Sequence, residues 1–292
     1  MTNEWSLPDG TVLRRMGYGA MQLPGWPLGT PAPRDTAIAV LNRAVELGVN
    51  HIDTSAFYAH QGVAANELIR AALYPYPEGL FIATKIAIVP PGFDGTPQVP
   101  LTREQIRTEV ERNIDELDVD RLDLVNLRAV GMEGPSDEPI GELFGALAAL
   151  REEGLIRHLG LSNVTAARLA EARAIAPVAA VQNHYNLGHR DDDALVDACA
   201  EAGVAYVPFF PLGGHVDPDL LHDGGVAAVA ERHDATPSQV LLAWTLRRSP
   251  NVLLIPGTSS LRHLEQNVAA ASLELTAEDV AELDTVAARG GV

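Results

Sequence analysis

Short apolar runs alternate with amphipathic stretches along almost the whole chain. Eight runs have the length and composition of buried strands, namely MGYGAM, VNHID, LFIAT, LDLVNL, RHLGLS, VAAVQ, VAYVPF and VLLIPG. The stretches between them repeat at helical spacing; in TREQIRTEVERNIDEL one face carries Ile106, Val110, Ile114 and Leu117. Capping boxes, which mark helix starts, are predicted at Thr102 with Gln105 and at Thr236 with Gln239.

This alternation of strand and helix predicts parallel strands joined by right-handed crossovers. Eight such units predict an α/β fold, a closed (β/α)8 TIM barrel. An N-terminal β-hairpin in WSLPDGTVLRR, with its turn at Asp9-Gly10, precedes the barrel. A doubly wound open sheet is the alternative, although no GxGxxG follows the first strand. Since no linker or compositional shift interrupts the chain, residues 1–292 are expected to form a single domain.

The chain is acidic, with 39 acidic and 21 basic residues and a formal net charge of −18. Such a surface repels phosphate backbones, so nucleic-acid binding is not expected, and an anionic ligand needs a local positive pocket. The single cysteine, Cys199, allows no internal disulfide and fits a reducing compartment. The N-terminus lacks the regions of a signal peptide, and no apolar stretch approaches the ~18 residues of a membrane span. We therefore expect a cytoplasmic protein without membrane contact.

The ends of the predicted strands carry polar side chains, and active sites of such barrels lie at strand ends. Lys85 follows the third strand and is the only lysine in the chain. Tyr58, five residues after Asp53, is a candidate proton donor whose ordinary pKa of ~10 a neighbouring ammonium lowers. Asp53, Lys85 and Tyr58 are thus predicted to act as anchor, pKa-tuning group and acid. Taken singly, they could instead be a helix cap, a loop residue and a packing residue.

Three other features of the sequence could indicate a metal site, a helix cap or a substrate cover. The spacings of His184, His189 and His215 match no common metal motif, so no metal site is predicted. The acidic run Asp191-Asp192-Asp193 is interpreted as a helix cap followed by first-turn acids. The loop LPGWPLGTPAP around Trp26 either covers a substrate or is only a turn-rich connection.

Together these motifs resemble the aldo-keto reductase superfamily, from about residue 12 to the C-terminus. The resemblance rests on GVNHIDTSAFYAHQGVAANELI, FIATK, GLSNVT, VQNHYN and IPGTSSLRHLEQN. It implies a (β/α)8 barrel, NADPH as cofactor and hydride transfer to a small-molecule carbonyl. Tyr58 matches the proton donor of the family, with Asp53 and Lys85 beside it.

The resemblance also implies a set of cofactor-binding residues. Ser162, Asn163 and Gln182 match the residues that bond the nicotinamide carboxamide. Phe209 matches the aromatic ring, usually tyrosine, that lies against the nicotinamide. The pyrophosphate and adenosine 2′-phosphate segments are matched by Leu212, Gly213, Gly257, Thr258, Ser259, Arg262, His263, Gln266 and Asn267. Within that set, Gly257 stands where the family often has lysine, and His263 stands where its usual arginine falls.

Arg128 is the largest departure from the usual family pattern, which has a histidine at the end of the fourth strand. VNLR, together with GYGAMQL, YVPFFPLGG and IPGTSS, most resembles the bacterial NADPH-dependent pyridoxal reductases of the superfamily. We expect the five guanidinium donors to face a carbonyl oxygen that gains negative charge. The alternative is a strand-end arginine in a surface ion pair.

The function implied by this resemblance is reduction of pyridoxal to pyridoxine. The alternatives are a reductase for another aldehyde, ketone or sugar, and a nucleotide-sensing binding protein with slow turnover. A monomer is expected, with weak homo-oligomerisation as the alternative.

Overall fold

The computed structural model describes residues 3–27, 29–87, 101–129, 135–214 and 218–290. The strands are β1 (Glu4–Ser6), β2 (Val12–Arg14), β3 (Tyr18–Gly19), β4 (His51–Asp53), β5 (Ala59–His60), β6 (Val63–Ala64), β7 (Phe81–Ala87), β8 (Leu122–Arg128), β9 (Ile156–Ser162), β10 (Ala180–Gln182) and β11 (Ala205–Tyr206). The α-helices are α1 (Arg34–Glu46), α2 (Ala65–Leu73), α3 (Arg103–Leu117), α4 (Gly141–Glu152), α5 (Ala166–Ile175), α6 (Asp193–Glu201), α7 (Gly224–Arg232), α8 (Pro237–Arg247), α9 (Leu261–Ala269) and α10 (Ala277–Gly290).

The centre of the fold is a curled parallel sheet. Within the described ranges, seven strands pair in the order β11-β10-β9-β8-β7-β4-β3, and each neighbouring pair is parallel. The predicted eighth strand, VLLIPG, forms two single parallel bridges, from Val252 to Tyr206 and from Leu254 to Met16. Because these bridges join the two edges of the sheet, the prediction of a (β/α)8 barrel is confirmed.

The eighth segment makes only one bridge to each neighbour, so it is shorter than the predicted strand. The Leu253 amide donates to the Tyr206 carbonyl at 2.9 Å, and the Leu254 amide donates to the Arg15 carbonyl at 2.8 Å. The segment therefore forms no continuous pairing of two or more residues with either neighbouring strand, although it is bridged to the strands on both sides.

The predicted N-terminal hairpin closes one end of the barrel. β1 and β2 pair antiparallel, and Gly10 in their turn has a φ of +85°, which glycine adopts without a steric penalty. Leu7 and Leu13 of this hairpin are buried with Phe81, Leu124 and other inward-facing residues in a core inside the barrel. A second and larger core lies between the strands and the helices.

The helices start where their sequence signals predict. Thr102 and Thr236 both form complete capping boxes, and Pro237 occupies the first turn of α8. On the predicted face of α3, Ile106 and Val110 are fully buried. In the part of the chain described by the structure, no helix is both long and apolar enough to cross a membrane.

Candidate active site

The three residues predicted as a catalytic set lie together at the carboxyl end of the barrel. Asp53 is the last residue of β4 and Lys85 lies in β7, two residues before its end. The Lys85 ammonium contacts Asp53 Oδ2 at 2.6 Å, donates to the Thr54 carbonyl at 3.0 Å and lies 4.7 Å from the centre of the Tyr58 ring. All three predicted side chains are buried, so the ion pair is screened little by solvent.

Backbone bonds on both sides hold Tyr58 in place. Its amide donates to the Ser55 carbonyl at 3.0 Å, and its carbonyl accepts from the Ala65 amide at 2.9 Å. The small hairpin of β5 and β6 follows immediately and leads into α2. These bonds fix the backbone of Tyr58, and the rings of Trp26 and Phe57 pack against its phenol.

The direction of one pKa shift differs from the sequence prediction. Burial raises the pKa of Tyr58 above its ordinary value, although the charges of Lys85 and Arg128 act to lower it. For Lys85, burial acts to lower the pKa, but Asp53 and Tyr58 outweigh it and raise the pKa. The ammonium thus acts on the pKa of Tyr58 in the predicted direction, but the net pKa is raised because desolvation of the phenolate is the larger effect.

Arg128 ends β8 and faces the same space. Its Nη1 donates to Ser162 Oγ at 3.1 Å, and its guanidinium carbon lies 5.4 Å from the centre of the Phe209 ring. Burial lowers the pKa of Arg128, while the charges of Tyr58 and Asp53 act to raise it. The side chain lines an internal cavity with Tyr58, a position that disfavours the surface ion pair considered from the sequence.

The cavity above these residues has a volume of about 280 Å³. Its wall combines a few polar groups with many apolar and aromatic ones, as is usual for small-molecule sites. The lining residues are Gly19, Met21, Gln22, Trp26, Asp53, Phe57, Tyr58, Lys85, Arg128, Gln182, Phe209, Phe210, Pro211, Leu212, Gly214, Leu221, Ile255, Pro256 and Gly257.

The structure places Trp26 of the loop LPGWPLGTPAP beside the catalytic set. Its ring lies 5.2 Å from the ring of Tyr58 and 5.7 Å from that of Phe57. The loop therefore forms part of the cavity wall. Phe57, Phe210 and Leu221 also line the cavity, and sequence reasoning missed them. The position of Phe57 and Phe210, next to predicted site residues, was the available signal for two of them.

The residues expected at the nicotinamide carboxamide are brought together beside the cavity. Gln182 Nε2 donates to Asp53 Oδ1 at 2.8 Å, while its Oε1 is buried and accepts no hydrogen bond from the described residues. That oxygen fits an amide N–H₂ donor such as a carboxamide. Ser162 and Asn163 are buried at the adjoining strand end, where Asn163 has a φ of +62°.

The segment expected to face the adenosine end lies outside the cavity wall, apart from Gly257 at its start. Thr258 is anchored because its carbonyl accepts from the Tyr18 hydroxyl at 2.6 Å. Ser259, Arg262 and His263 are exposed at the N-terminal end of α9, whereas Gln266 is half-buried and Asn267 is buried. Leu212 lines the cavity, and Gly213 beside it has a φ of +85°. Exposed donors at a helix N-terminus suit a phosphate ligand.

The histidines outside this site have other surroundings. His51 is buried in the barrel interior, and burial lowers its pKa to about 4. The rings of His184 and His189 stack with centres 4.0 Å apart, and His215 lies outside the described residues. Over the ranges that the structure covers, no cluster of three or more His, Cys, Asp or Glu side chains is arranged to hold a metal ion.

One predicted helix cap is wrong. Asp192 occupies the N-cap position of α6, but its carboxylate accepts no hydrogen bond from that helix. It accepts instead from the side chains of Asn183 and Tyr206. Asp193 lies in the first turn of α6, as predicted, and accepts from the Tyr185 hydroxyl at 2.6 Å.

Comparisons with known proteins agree with this geometry. The model of the aldo/keto reductase family matches residues 15–288. Pyridoxine 4-dehydrogenase of Escherichia coli is 47% identical over 288 residues, 98% of each chain. An uncharacterised oxidoreductase of Schizosaccharomyces pombe is 38% identical over 94% of this chain and 86% of its own length.

Solved structures give the same result. A thermostable aldo-keto reductase in complex with the inhibitor epalrestat has a TM-score of 0.82 and 27% identity, covering 98% of this chain and 100% of its own. An aldo/keto reductase from Klebsiella pneumoniae, solved with NADP and acetate, has a TM-score of 0.81 and 25% identity, covering 98% and 95%. NADP is the cofactor that the resemblance implied. The chain belongs to the aldo/keto reductase family and is an oxidoreductase, as its strand-end motifs predicted.

Proposed function

We propose that this oxidoreductase uses NADPH to reduce the aldehyde of pyridoxal to the alcohol of pyridoxine. The observation that carries the chemistry is the buried Asp53–Lys85 ion pair beside Tyr58, on the wall of a cavity that Arg128 also lines. The substrate rests on the 47% identity to pyridoxine 4-dehydrogenase of Escherichia coli and on the guanidinium at position 128.

Tyr58 is the proposed proton donor. Because burial raises the pKa of its phenol, the hydroxyl carries its proton at neutral pH and can donate it to the carbonyl oxygen. Loss of that proton leaves a buried phenolate, which is stabilised by the Lys85 ammonium 4.7 Å from the centre of the ring. Asp53 keeps the ammonium charged and fixes its position through the 2.6 Å contact.

When bound, NADPH supplies the hydride that adds to the carbonyl carbon. The buried Oε1 of Gln182, with Ser162 and Asn163, is proposed to hold the nicotinamide carboxamide. Phe209 lines the same wall and offers a flat apolar face. The pyrophosphate is assigned to the segment of Leu212, Gly213 and Gly257, and the adenosine end to Thr258, Ser259, Arg262, His263, Gln266 and Asn267.

Tyr58→Phe tests this chemistry. The ring stays in place and only the hydroxyl is lost, so the rate of reduction should fall by roughly 10²–10⁴-fold while NADPH still binds. Tyr74→Phe is the matched control, because Tyr74 is an exposed tyrosine away from the cavity wall. A Tyr58→Phe enzyme that turns over within a few-fold of the wild type contradicts the assignment.

Arg128→His tests the substrate. Pyridoxal carries its aldehyde next to a phenolic oxygen that is largely anionic at neutral pH. A guanidinium can donate to both oxygens in parallel, whereas an imidazole offers one donor to such a pair. The substitution should keep kcat/KM for benzaldehyde within about tenfold of the wild-type value. For pyridoxal, the activation free energy derived from kcat/KM should rise by a further ~1.5–3 kcal/mol.

3-Deoxypyridoxal, which lacks the phenol, is the control substrate. If Arg128→His harms all three aldehydes equally, Arg128 only polarises the carbonyl and does not select the substrate. If the wild-type enzyme reduces other aldehydes, ketones or sugars efficiently but not pyridoxal, the substrate assignment fails and the chemistry stands. If no aldehyde is turned over while NADPH binds, the chain is a nucleotide-sensing protein.

A further inference from the structure

The ends of three neighbouring strands meet at one buried side chain, Asn183. Its Oδ1 accepts from the Val164 amide at 3.0 Å, and its Nδ2 donates to the Val164 carbonyl at 2.8 Å. Its backbone carbonyl accepts from the Phe209 amide at 2.9 Å. The amide side chain thus continues the pairing of β9 and β10 beyond the last residues of both strands, and the backbone adds the chain that follows β11.

A carboxylate from α6 holds this side chain. Asp192 Oδ2 accepts from Asn183 Nδ2 at 2.6 Å and from the Tyr206 hydroxyl at 2.7 Å. Asn183 and Tyr206 are both fully buried, so neither donor has water as an alternative partner. We call Asn183, Asp192 and Tyr206 the strand-end brace.

The residues proposed to contact the nicotinamide lie within three positions of the three strand ends that the brace ties together. Ser162 and Asn163 directly precede Val164, and Gln182 directly precedes Asn183. The Asn163 amide also donates to the Gln182 carbonyl at 3.0 Å, so these residues are already joined through the backbone. Asn163 has a φ of +62°, a left-handed conformation that asparagine adopts more readily than most other residues with a side chain.

We propose that Asp192 is a positioning residue that, through Asn183 and Tyr206, fixes the nicotinamide-binding residues Ser162, Asn163, Gln182 and Phe209. This inference rests on the proposed use of NADPH. It assigns to Asp192 a role in binding one half of the cofactor, in place of the helix cap that its sequence position indicates. The brace joins the ends of β9, β10 and β11, whereas Arg262 and His263 of the adenosine half lie on α9, so we expect no effect on that half.

Asp192→Ala tests the proposal, with binding as the readout. Dissociation constants are measured by quenching of tryptophan fluorescence for NADPH and for 2′,5′-ADP, which contains the adenosine half but no nicotinamide. The NADPH constant divided by the 2′,5′-ADP constant should rise about tenfold, because the Tyr206 hydroxyl and one N–H of Asn183 lose their shared acceptor and no longer fix the strand ends. The constant for 2′,5′-ADP should stay within twofold of the wild type.

Two further variants separate positioning from general damage. Asp191→Ala is the matched control, since the neighbouring carboxylate is exposed and lies 4.0 Å from His189 as its nearest ion-pair partner. Asp192→Asn keeps an acceptor oxygen in the brace and should restore most of the ratio. Tyr206→Phe keeps the ring in the core and removes one of the two donors to Asp192. It should raise the ratio by about threefold. If Asp192→Ala does not fold, Tyr206→Phe provides the test.

A ratio that stays at the wild-type value in both Asp192→Ala and Tyr206→Phe overturns the proposal. Both constants rising together, with a lower melting temperature, also overturns it, because the brace is then only part of the fold. A wild-type chain that binds 2′,5′-ADP but not NADPH overturns the proposed function instead. If wild-type NADPH binding is tight and insensitive to these variants, the positioning role alone fails.

Discussion

Tyr58 shows how two opposing effects set the state of one residue. The charges of Lys85 and Arg128 favour the phenolate, and burial disfavours it more strongly. The phenol therefore carries its proton throughout the neutral and mildly alkaline range. This state suits reduction, in which the group must arrive protonated, and hinders oxidation, in which it must first lose the proton.

The pH profile should show this directly. We expect kcat for reduction to stay constant within about twofold from roughly pH 6 to pH 9, because a pKa raised above the ordinary value of ~10 leaves Tyr58 protonated there. Oxidation of the alcohol should accelerate as the pH rises through the same range. Steady-state rates at saturating substrate in both directions provide the measurement. A decline in reduction between pH 7 and pH 9 shows instead that the ammonium lowers the pKa.

At the scale of residues, the sequence predicts which side chains are functional better than it predicts which partners they contact. Lys85 could be found because it is the only lysine in the chain and follows a predicted strand. Asp192 was misread because an acid at a helix start has helix amides as its nearest donors along the chain. The donors that it contacts are 9 and 14 residues away and become neighbours only when the barrel closes.

At the scale of elements, close backbone contacts and hydrogen bonds hold the loop that carries Trp26. Gly25 has a φ of +67°, and a Cβ there would lie 2.6 Å from the Thr30 carbonyl carbon. The Gly29 amide donates to the Gly25 carbonyl at 2.6 Å, and the Ala32 amide donates to the Leu23 carbonyl at 2.9 Å. These contacts set where the loop presents Trp26, whose ring covers Tyr58.

Gly25→Ala should therefore disturb the cavity wall without touching the catalytic set. The added methyl must displace the backbone of Thr30, which moves Trp26 away from Phe57 and Tyr58. We expect KM for an aromatic aldehyde to rise about tenfold, the effect of losing one or two ring contacts, and kcat to change less. Trp26→Leu should give the same shift.

Gly10→Ala is the matched control for that substitution. Gly10 also has a positive φ, +85°, but a Cβ there meets nothing within 4 Å and the hairpin turn lies outside the cavity wall. It should cost about 1 kcal/mol of stability and leave KM unchanged. Equal KM values for Gly25→Ala and Gly10→Ala would show that the loop does not shape the site.

Elements with local signals were predicted well. Both capping boxes are complete, because each depends on residues within one helical turn. The eighth strand was predicted from its apolar run, but not that it forms two single bridges, because its pairing depends on Arg15 and Tyr206, which are distant in sequence from Leu253 and Leu254. A single sequence gives no measure of that geometry.

Across the whole molecule, closure of the barrel brings polar side chains into its interior. Asp53 and Gln182 form the boundary between the cavity and a smaller internal space that His51 and Asn126 also line. The His51 ring lies against Gly17, where a Cβ would come within 2.1 Å of its Nε2. The ring is neutral at neutral pH, because burial disfavours the charged imidazolium and lowers the pKa of His51 to about 4.

This buried histidine should make the protein sensitive to acid. The unfolded chain takes up a proton at His51 near its ordinary pKa of 6.5, whereas the folded chain resists protonation until the pH approaches 4. A folded-state pKa that is depressed contributes its full stability above pH 6.5 and loses it as the pH falls toward 4. Between pH 7.5 and pH 5 the loss should be about 2 kcal/mol from this group.

The measurement is urea unfolding of the wild type and of His51→Gln at both pH values. The quantity compared is the change in unfolding free energy between the two pH values, which is independent of the variant's absolute stability and should be about 2 kcal/mol smaller in His51→Gln. His222→Gln, at an exposed histidine, is the control and should follow the wild type. If His51→Gln has the same pH dependence as the wild type, the ring accepts a proton inside the folded barrel, and acid sensitivity comes from other groups.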